Sequence, residues 1–176
     1  MWESLLNGER MAQVYVSIGS NIEPRHHISA GLADMRRQFG TISLSSVYES
    51  EAVGFEGDNF YNLVAAFETG VDVHGVAKIL RDIETNNDRK RTEKRFSARS
   101  LDLDILLYDD LILKDKHVQV PRDEILKYAF VLLPLSEMAP ALKHPVTGQS
   151  YADLWQAFDK QGESLWQIDF IPPQKA

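Results

Sequence analysis

The stretch from Arg95 to Leu106 places two carboxylates, Asp102 and Asp104, inside an apolar run that directly follows a group of arginines. Read as a strand from Leu101 to Tyr108, the run puts Asp102 and Asp104 on one face and Leu101, Leu103 and Ile105 on the other. Two residues of strand rise separate the carboxylates by about 6.6 Å. Like charges at about that distance repel by roughly 2.5 kcal/mol at an effective dielectric of about 20. A solvated edge would offset the repulsion, and so would a divalent cation such as Mg2+, which takes carboxylate oxygens together with phosphate oxygens and water. Six basic residues, Arg89, Lys90, Arg91, Lys94, Arg95 and Arg99, lie just upstream. Arginines beside paired carboxylates are the components of a metal-assisted phosphoryl-transfer site. On these residues alone, the alternative is a solvated basic loop leading into the polar face of an amphipathic strand.

The elements that must position this pair can be read outward from it. Val14 to Ile18 is strand-like, Gly19 to Asn21 is a turn, and Pro24 suits the first turn of a helix with Ile28, Leu32, Met35 and Phe39 at helical spacing and Gly40 at its end. Ile42 to Tyr48 reads as a second strand, Glu49 to Asn59 as a polar loop, and Asn62 to Thr69 as a third strand. Asp72 can cap a helix carrying Val76, Leu80 and Ile83. The order is β-α-β-β-α-β, an α+β, ferredoxin-like sandwich. A β extension follows around residues 111–120, with helical material around 126–138 and 151–158. Residues 1–10 are expected to be an N-terminal extension outside the fold, 11–160 the domain, and 161–176 a loosely held tail.

At 176 residues the chain can bury one genuine core. Without cysteine it has neither disulfides nor thiolate chemistry. With no signal peptide and no apolar run of membrane length, a cytoplasmic protein with no membrane partner is expected. A net charge of −7 argues against coating nucleic acid. The basic segment between Asn87 and Arg99 is the exception, and on an acidic body it points to a compact anion such as a nucleotide polyphosphate. The residues from Asn87 to Ala98 are expected to act as a lid over the phosphates. None of the five histidines shares metal-ligand spacing with a second histidine and a carboxylate.

The run Arg95, Arg99, Asp102, Leu103, Asp104 resembles that of the 6-hydroxymethyl-7,8-dihydropterin pyrophosphokinases, which transfer pyrophosphate from ATP to a pterin alcohol in folate biosynthesis. The resemblance extends through Val16 to Asn21, Ser46 to Ser50, Phe60 to Asn62, Ile83 with Glu84, Val120 with Pro121, Phe130 to Leu135, and Glu137 to Pro140. It implies that Asp102 and Asp104 hold two Mg2+ ions against ATP, and that Arg89 and Arg99 act with them in catalysis. It also implies that Glu84, Arg89, Arg91 and Arg99 lie on the nucleotide side, where Arg122, which departs from the family pattern, can keep a phosphate contact. Arginine suits such positions because its planar fork binds phosphate oxygens in pairs and stays charged. Ser50, Val53, Phe60, Asn62 and Phe130 are implied to bind the pterin, the two phenylalanines sandwiching the ring and Asn62 pairing with its pyrimidinone edge. The implied partners are these small molecules, and a monomer is expected.

This chain departs from the family pattern at several places. Phe96, Ser97 and Ala98 stand where Trp, Gly and Pro are typical, and Arg122, Asp123 and Tyr128 replace a His-Tyr pair and an Arg. Glu51 and Ala52 replace a proline pair. The readings kept beside the enzyme are a paralogue with altered pterin or ATP use and a non-catalytic ferredoxin-like binding module.

Overall fold

The computed structural model describes residues 10–52, 56–87 and 100–173. Along the chain run β1 (Ala12–Ser20), α1 (Pro24–Phe39), β2 (Ser43–Leu44), β3 (Tyr48–Ser50), β4 (Phe60–Thr69), α2 (Val73–Asn86), β5 (Asp102–Tyr108), β6 (Leu113–Lys114), β7 (Gln119–Val120), α3 (Glu124–Lys127), α4 (Ala129–Met138), α5 (Tyr151–Ala157) and β8 (Leu165–Gln167). The main sheet is antiparallel in the order β5-β1-β4-β3-β8, with β2 also on β4, and β6 and β7 form a separate ribbon. The protein is therefore α+β. Among the described residues no helix is long and apolar enough to cross a membrane.

Local chemistry explains the two long helices. Pro24 occupies the first turn of α1, where its missing N–H costs no hydrogen bond. Gly40 ends the helix with φ at 81°, a backbone region that glycine enters without a Cβ clash. In α2 the Asp72 carboxylate accepts from the backbone N of Gly75 at 2.7 Å, satisfying one of the free amides of the first turn. Ile28, Leu32 and Met35 of α1 and Val76, Leu80 and Ile83 of α2 pack on one sheet face against Val16, Ile18, Leu63, Leu103 and Ile105. The opposite face is covered by α4 and α5, whose Val131, Leu132, Leu135 and Tyr151 meet Val64 and Leu106.

The structure corrects three expectations. The second strand is not continuous from 42 to 48. Ser45 breaks it, because its hydroxyl rather than a backbone carbonyl accepts the Val64 amide at 2.8 Å. Its continuation is anchored by Glu137 of α4, which accepts from the Ser46 amide at 2.7 Å and the Tyr48 hydroxyl at 2.6 Å. The helical stretch 126–138 is divided at Tyr128, which is extended with φ −124° and ψ 126°. The expected C-terminal tail is not all loose: Leu165 to Gln167 pair with β3 as an edge strand, and the Ile168 amide donates to the Val47 carbonyl at 3.0 Å. Further on, Phe170 lies 4.8 Å from the Arg25 guanidinium as a cation–π pair. The tail closes an otherwise unpaired edge of β3, which a three-residue strand can do without an apolar pattern of its own.

At the other end of the sheet, the outer edge of β5 is held by side and main chains from its neighbours. Glu84 is only 3% exposed and its Oε2 accepts the Leu103 amide at 2.9 Å, between the two aspartates in sequence. The Arg122 amide donates to the Leu106 carbonyl at 3.0 Å. Removing the Glu84 acceptor leaves a buried amide unsatisfied. Glu84→Ala is therefore expected to cost about 1–3 kcal/mol of stability. Glu84→Gln, which retains a carbonyl oxygen, should lose clearly less. Urea unfolding of both variants checks this, and equal losses would remove the Leu103 contact as the cause.

Candidate active site

The strand register collects most of the sequence-predicted residues that the structure describes onto one face. Directly opposed residues in antiparallel strands project on the same side. Tyr48 opposes Asn62, Asn62 opposes Gly19, and Gly19 opposes Asp102. In the adjoining rows Ser50 opposes Phe60, and Ser17 lies between Val64 and Asp104. Ser50, Phe60, Asn62, Asp102 and Asp104 thus share a face with Val64 and Leu106, which α4 and α5 cover. Phe130, in the first turn of α4, packs against that same cluster. The alternation expected for β5 holds, with Asp102 and Asp104 half-buried and Leu101, Leu103 and Ile105 buried.

Asn62 is buried, and its amide nitrogen donates to the Ser50 hydroxyl at 2.8 Å. Its Oδ1 is directed toward Gly19: a Cβ placed there would lie 3.5 Å from it and 3.8 Å from the Phe60 ring. Gly19 therefore puts no side chain into the row between Asn62 and Asp102. Two strand spacings make that interval about 9.5 Å. The β5 strand is set against β1 by Ser20, whose hydroxyl donates to the Ser100 carbonyl at 2.5 Å. Phe130 stacks on Tyr128 with ring centroids 5.0 Å apart and planes at 15°. Tyr128 is one of the family departures, and its use as a backing for Phe130 could not be inferred from sequence spacing of two.

Glu84 and Arg122 lie at the β5 edge rather than on the common face. Together with Ala77, Leu80, Leu103, Ile105, Val118, His117 and Gln119 they line a cavity of about 180 Å³, to which Asp104 also contributes. Arg122 pairs with Asp104 through Nη2 and Oδ1 at 3.5 Å, and its Nε meets Glu124 at 3.1 Å. Burial works against its charge, but the fields of Asp104, Glu124, Asp102 and Glu84 outweigh that and raise its pKa above the ordinary arginine value. Glu124 was not singled out from the sequence. Its signal was the Arg-x-Glu spacing that begins at Arg122. Asp123 is fully exposed, and its pKa is lowered first by a hydrogen bond from Gln119, with nearby Lys127, Lys114 and Arg122 adding to the effect.

Arg89, Arg91, Arg99 and Val53 lie outside the described residues, as does the expected lid from Asn87 to Ala98 apart from Asn87 itself. Two of the histidines serve local structure: His74 pairs with Asp115 at 2.6 Å, and buried His144 accepts from the Val146 and Thr147 amides at 3.1 and 3.2 Å. Among the described residues no group of three or more metal-ligating side chains occurs. Asp102 and Asp104, half-buried on one strand face, present hard carboxylate oxygens of the kind that a cation such as Mg2+ takes together with phosphate oxygens and water.

The chain is similar to known proteins in sequence and in fold. The family model described as 7,8-dihydro-6-hydroxymethylpterin-pyrophosphokinase matches residues 15–140. A 2-amino-4-hydroxy-6-hydroxymethyldihydropteridine pyrophosphokinase of Pseudomonas aeruginosa is 37% identical over 137 residues, covering 76% of this chain and 84% of its own length. One from Aquifex aeolicus is 33% identical over 138 residues, covering 77% of this chain and 86% of its own. Wild-type Plasmodium falciparum HPPK-DHPS superposes with a TM-score of 0.64 at 14% identity, over 84% of this chain and 44% of that one. This chain thus spans less than half of that structure's chain, and the likeness shows the fold. With the family match running through both aspartates, Asn62 and Phe130, the chain belongs to the 7,8-dihydro-6-hydroxymethylpterin-pyrophosphokinase family.

Proposed function

We propose that this protein transfers pyrophosphate from ATP to 6-hydroxymethyl-7,8-dihydropterin, giving AMP and the pterin diphosphate, a step of folate biosynthesis. The observation that carries the reading is the single sheet face holding Ser50, Phe60, Asn62, Asp102 and Asp104, with Gly19 as the step between Asn62 and Asp102. The strand order β5-β1-β4-β3 supports the ferredoxin-like form of the fold.

On this reading the pterin lies over Gly19. Asn62 pairs with its pyrimidinone edge through Oδ1, and Phe60 and Phe130 hold its faces. The hydroxymethyl arm then extends toward β5. ATP seats its nucleoside in the cavity at the β5 edge, where Ala77, Leu80, Ile105 and Val118 supply apolar contact and Gln119 and His117 polar groups. Asp104 lines that cavity and also belongs to the common face, so the polyphosphate passes from one to the other beside it. Asp102 and Asp104 would hold two Mg2+ ions. When bound, these neutralise phosphate charge and make the β-phosphorus electrophilic. The pterin hydroxyl oxygen forms a bond to that phosphorus, the bond to the α-phosphate oxygen breaks, the hydroxyl proton is lost and AMP leaves. With no general base identified, alignment of the two substrates and charge neutralisation carry most of the barrier reduction.

An assay of AMP release with ATP, Mg2+ and the reduced pterin alcohol tests the reading directly. AMP and pterin diphosphate are expected in equal amounts, and AMP release that does not depend on the pterin would contradict it. Asp102→Ala and Asp104→Ala should each lose at least about 2.7 kcal/mol of transition-state stabilisation, a hundredfold or more in rate, with folding retained. Near wild-type turnover in both would remove the aspartates from the chemistry. Asn62→Ala is expected to weaken pterin binding by about 1–3 kcal/mol while leaving an ATP analogue nearly unaffected. Calorimetric titration of each ligand separately decides this, and equal loss for both would make Asn62 structural.

A further inference from the structure

Asp104 has an internal cation beside it. Arg122 Nη2 stands 3.5 Å from Asp104 Oδ1 while Nε of the same guanidinium stands 3.1 Å from Glu124, so one arginine is shared between two carboxylates. The backbone beneath it is fixed by the bond from its amide to the Leu106 carbonyl at 3.0 Å. Both side chains of the Arg122–Asp104 pair are partly shielded, at 29% and 32% exposure, so water screens the contact less than it would a surface ion pair. Arginine does not deprotonate, which means that this cation cannot be cleared from the carboxylate by losing a proton.

We propose that Arg122 is an exchangeable counter-ion of Asp104: it neutralises the carboxylate while no metal is bound, and on arrival of the metal–nucleotide complex it leaves Asp104 and contacts phosphate, still tethered by Glu124. This rests on the function proposed above. A guanidinium and a dication on the same carboxylate oxygen repel each other, so a metal arriving alone must displace Arg122 without compensation. A metal arriving with a polyphosphate brings the arginine a new anionic partner. Metal and nucleotide affinities are thereby coupled, each improving the other by the same factor. Glu124 sets the bias. It holds the Nε side of the group, leaving the Nη side to exchange between Asp104 and phosphate.

Two substitutions with opposite expected signs test the exchange, read as Mn2+ affinity by electron paramagnetic resonance or calorimetry rather than as activity. In Arg122→Gln, binding of Mn2+ alone should tighten by roughly fivefold or more, and the further gain on adding a non-hydrolysable ATP analogue should shrink. In Glu124→Gln, Arg122 is left to Asp104, and binding of Mn2+ alone should weaken. Removing a static cation beside Asp104 would also tighten binding of Mn2+ alone, so the shrunken gain on adding the ATP analogue is what marks the exchange, and an undiminished gain in Arg122→Gln overturns it. Unchanged or weaker binding of Mn2+ alone in Arg122→Gln overturns the proposal, and so does unchanged binding in Glu124→Gln should the first variant fail to fold. Wild-type protein whose Mn2+ affinity does not rise with the ATP analogue would instead overturn the functional reading beneath it.

Discussion

The candidate site depends on the antiparallel register of β5, β1 and β4. Strand side chains alternate, so a slip of one residue would carry Asp102 and Asp104 into the layer occupied by α1 and α2 and expose Leu103 and Ile105. Each of those apolar side chains contributes about 1.5–3 kcal/mol when buried. Moving the two carboxylates into an apolar layer, away from their present partners, would cost several kcal/mol more. The core on one face thus holds the chemistry on the other. Once Gly19 is fixed opposite Asp102, its opposite neighbour Asn62 is fixed as well. The row from Tyr48 to Asp102 follows without any further specification.

Charge is the second constraint, and it acts at the β5 edge. Asp102, Asp104, Glu84 and Glu124 all place their fields on Arg122. Glu84 is removed from that competition in part by its bond to the Leu103 amide, which makes it a support of the strand as well as a wall of the cavity. The same edge is therefore both the mechanical boundary of the sheet and the place where an anion would meet it.

Much of this was legible in the sequence because it is local. The period-two alternation of β5, the Asp72 cap, Pro24 and Gly40 each follow from a few neighbouring residues. The motif resemblance led to Phe60, Asn62 and Phe130, and without it the two phenylalanines read as ordinary core packing. What the sequence did not show was long-range. The break at Ser45 depends on a hydroxyl meeting Val64 across the sheet, and β8 is a strand because β3 offers it an edge. The Arg122–Asp104 pair joins positions eighteen apart in sequence, and Tyr128, which stacks on Phe130, is extended between α3 and α4, where a continuous helix was expected. In each case the missing information was which distant group completes a local preference.

The central claim is that one sheet row carries the pterin and the aspartates with an empty step between them at Gly19. Gly19→Ala tests it most directly. A Cβ there meets its nearest neighbours at 3.5 Å or more, an ordinary van der Waals separation, so the variant should fold with little loss of stability. Calorimetry on this variant is predicted to show pterin binding weakened by roughly tenfold or more and an ATP analogue still bound, because the added methyl stands between Asn62 and Asp102. Pterin binding at wild-type strength in the folded variant would contradict the account.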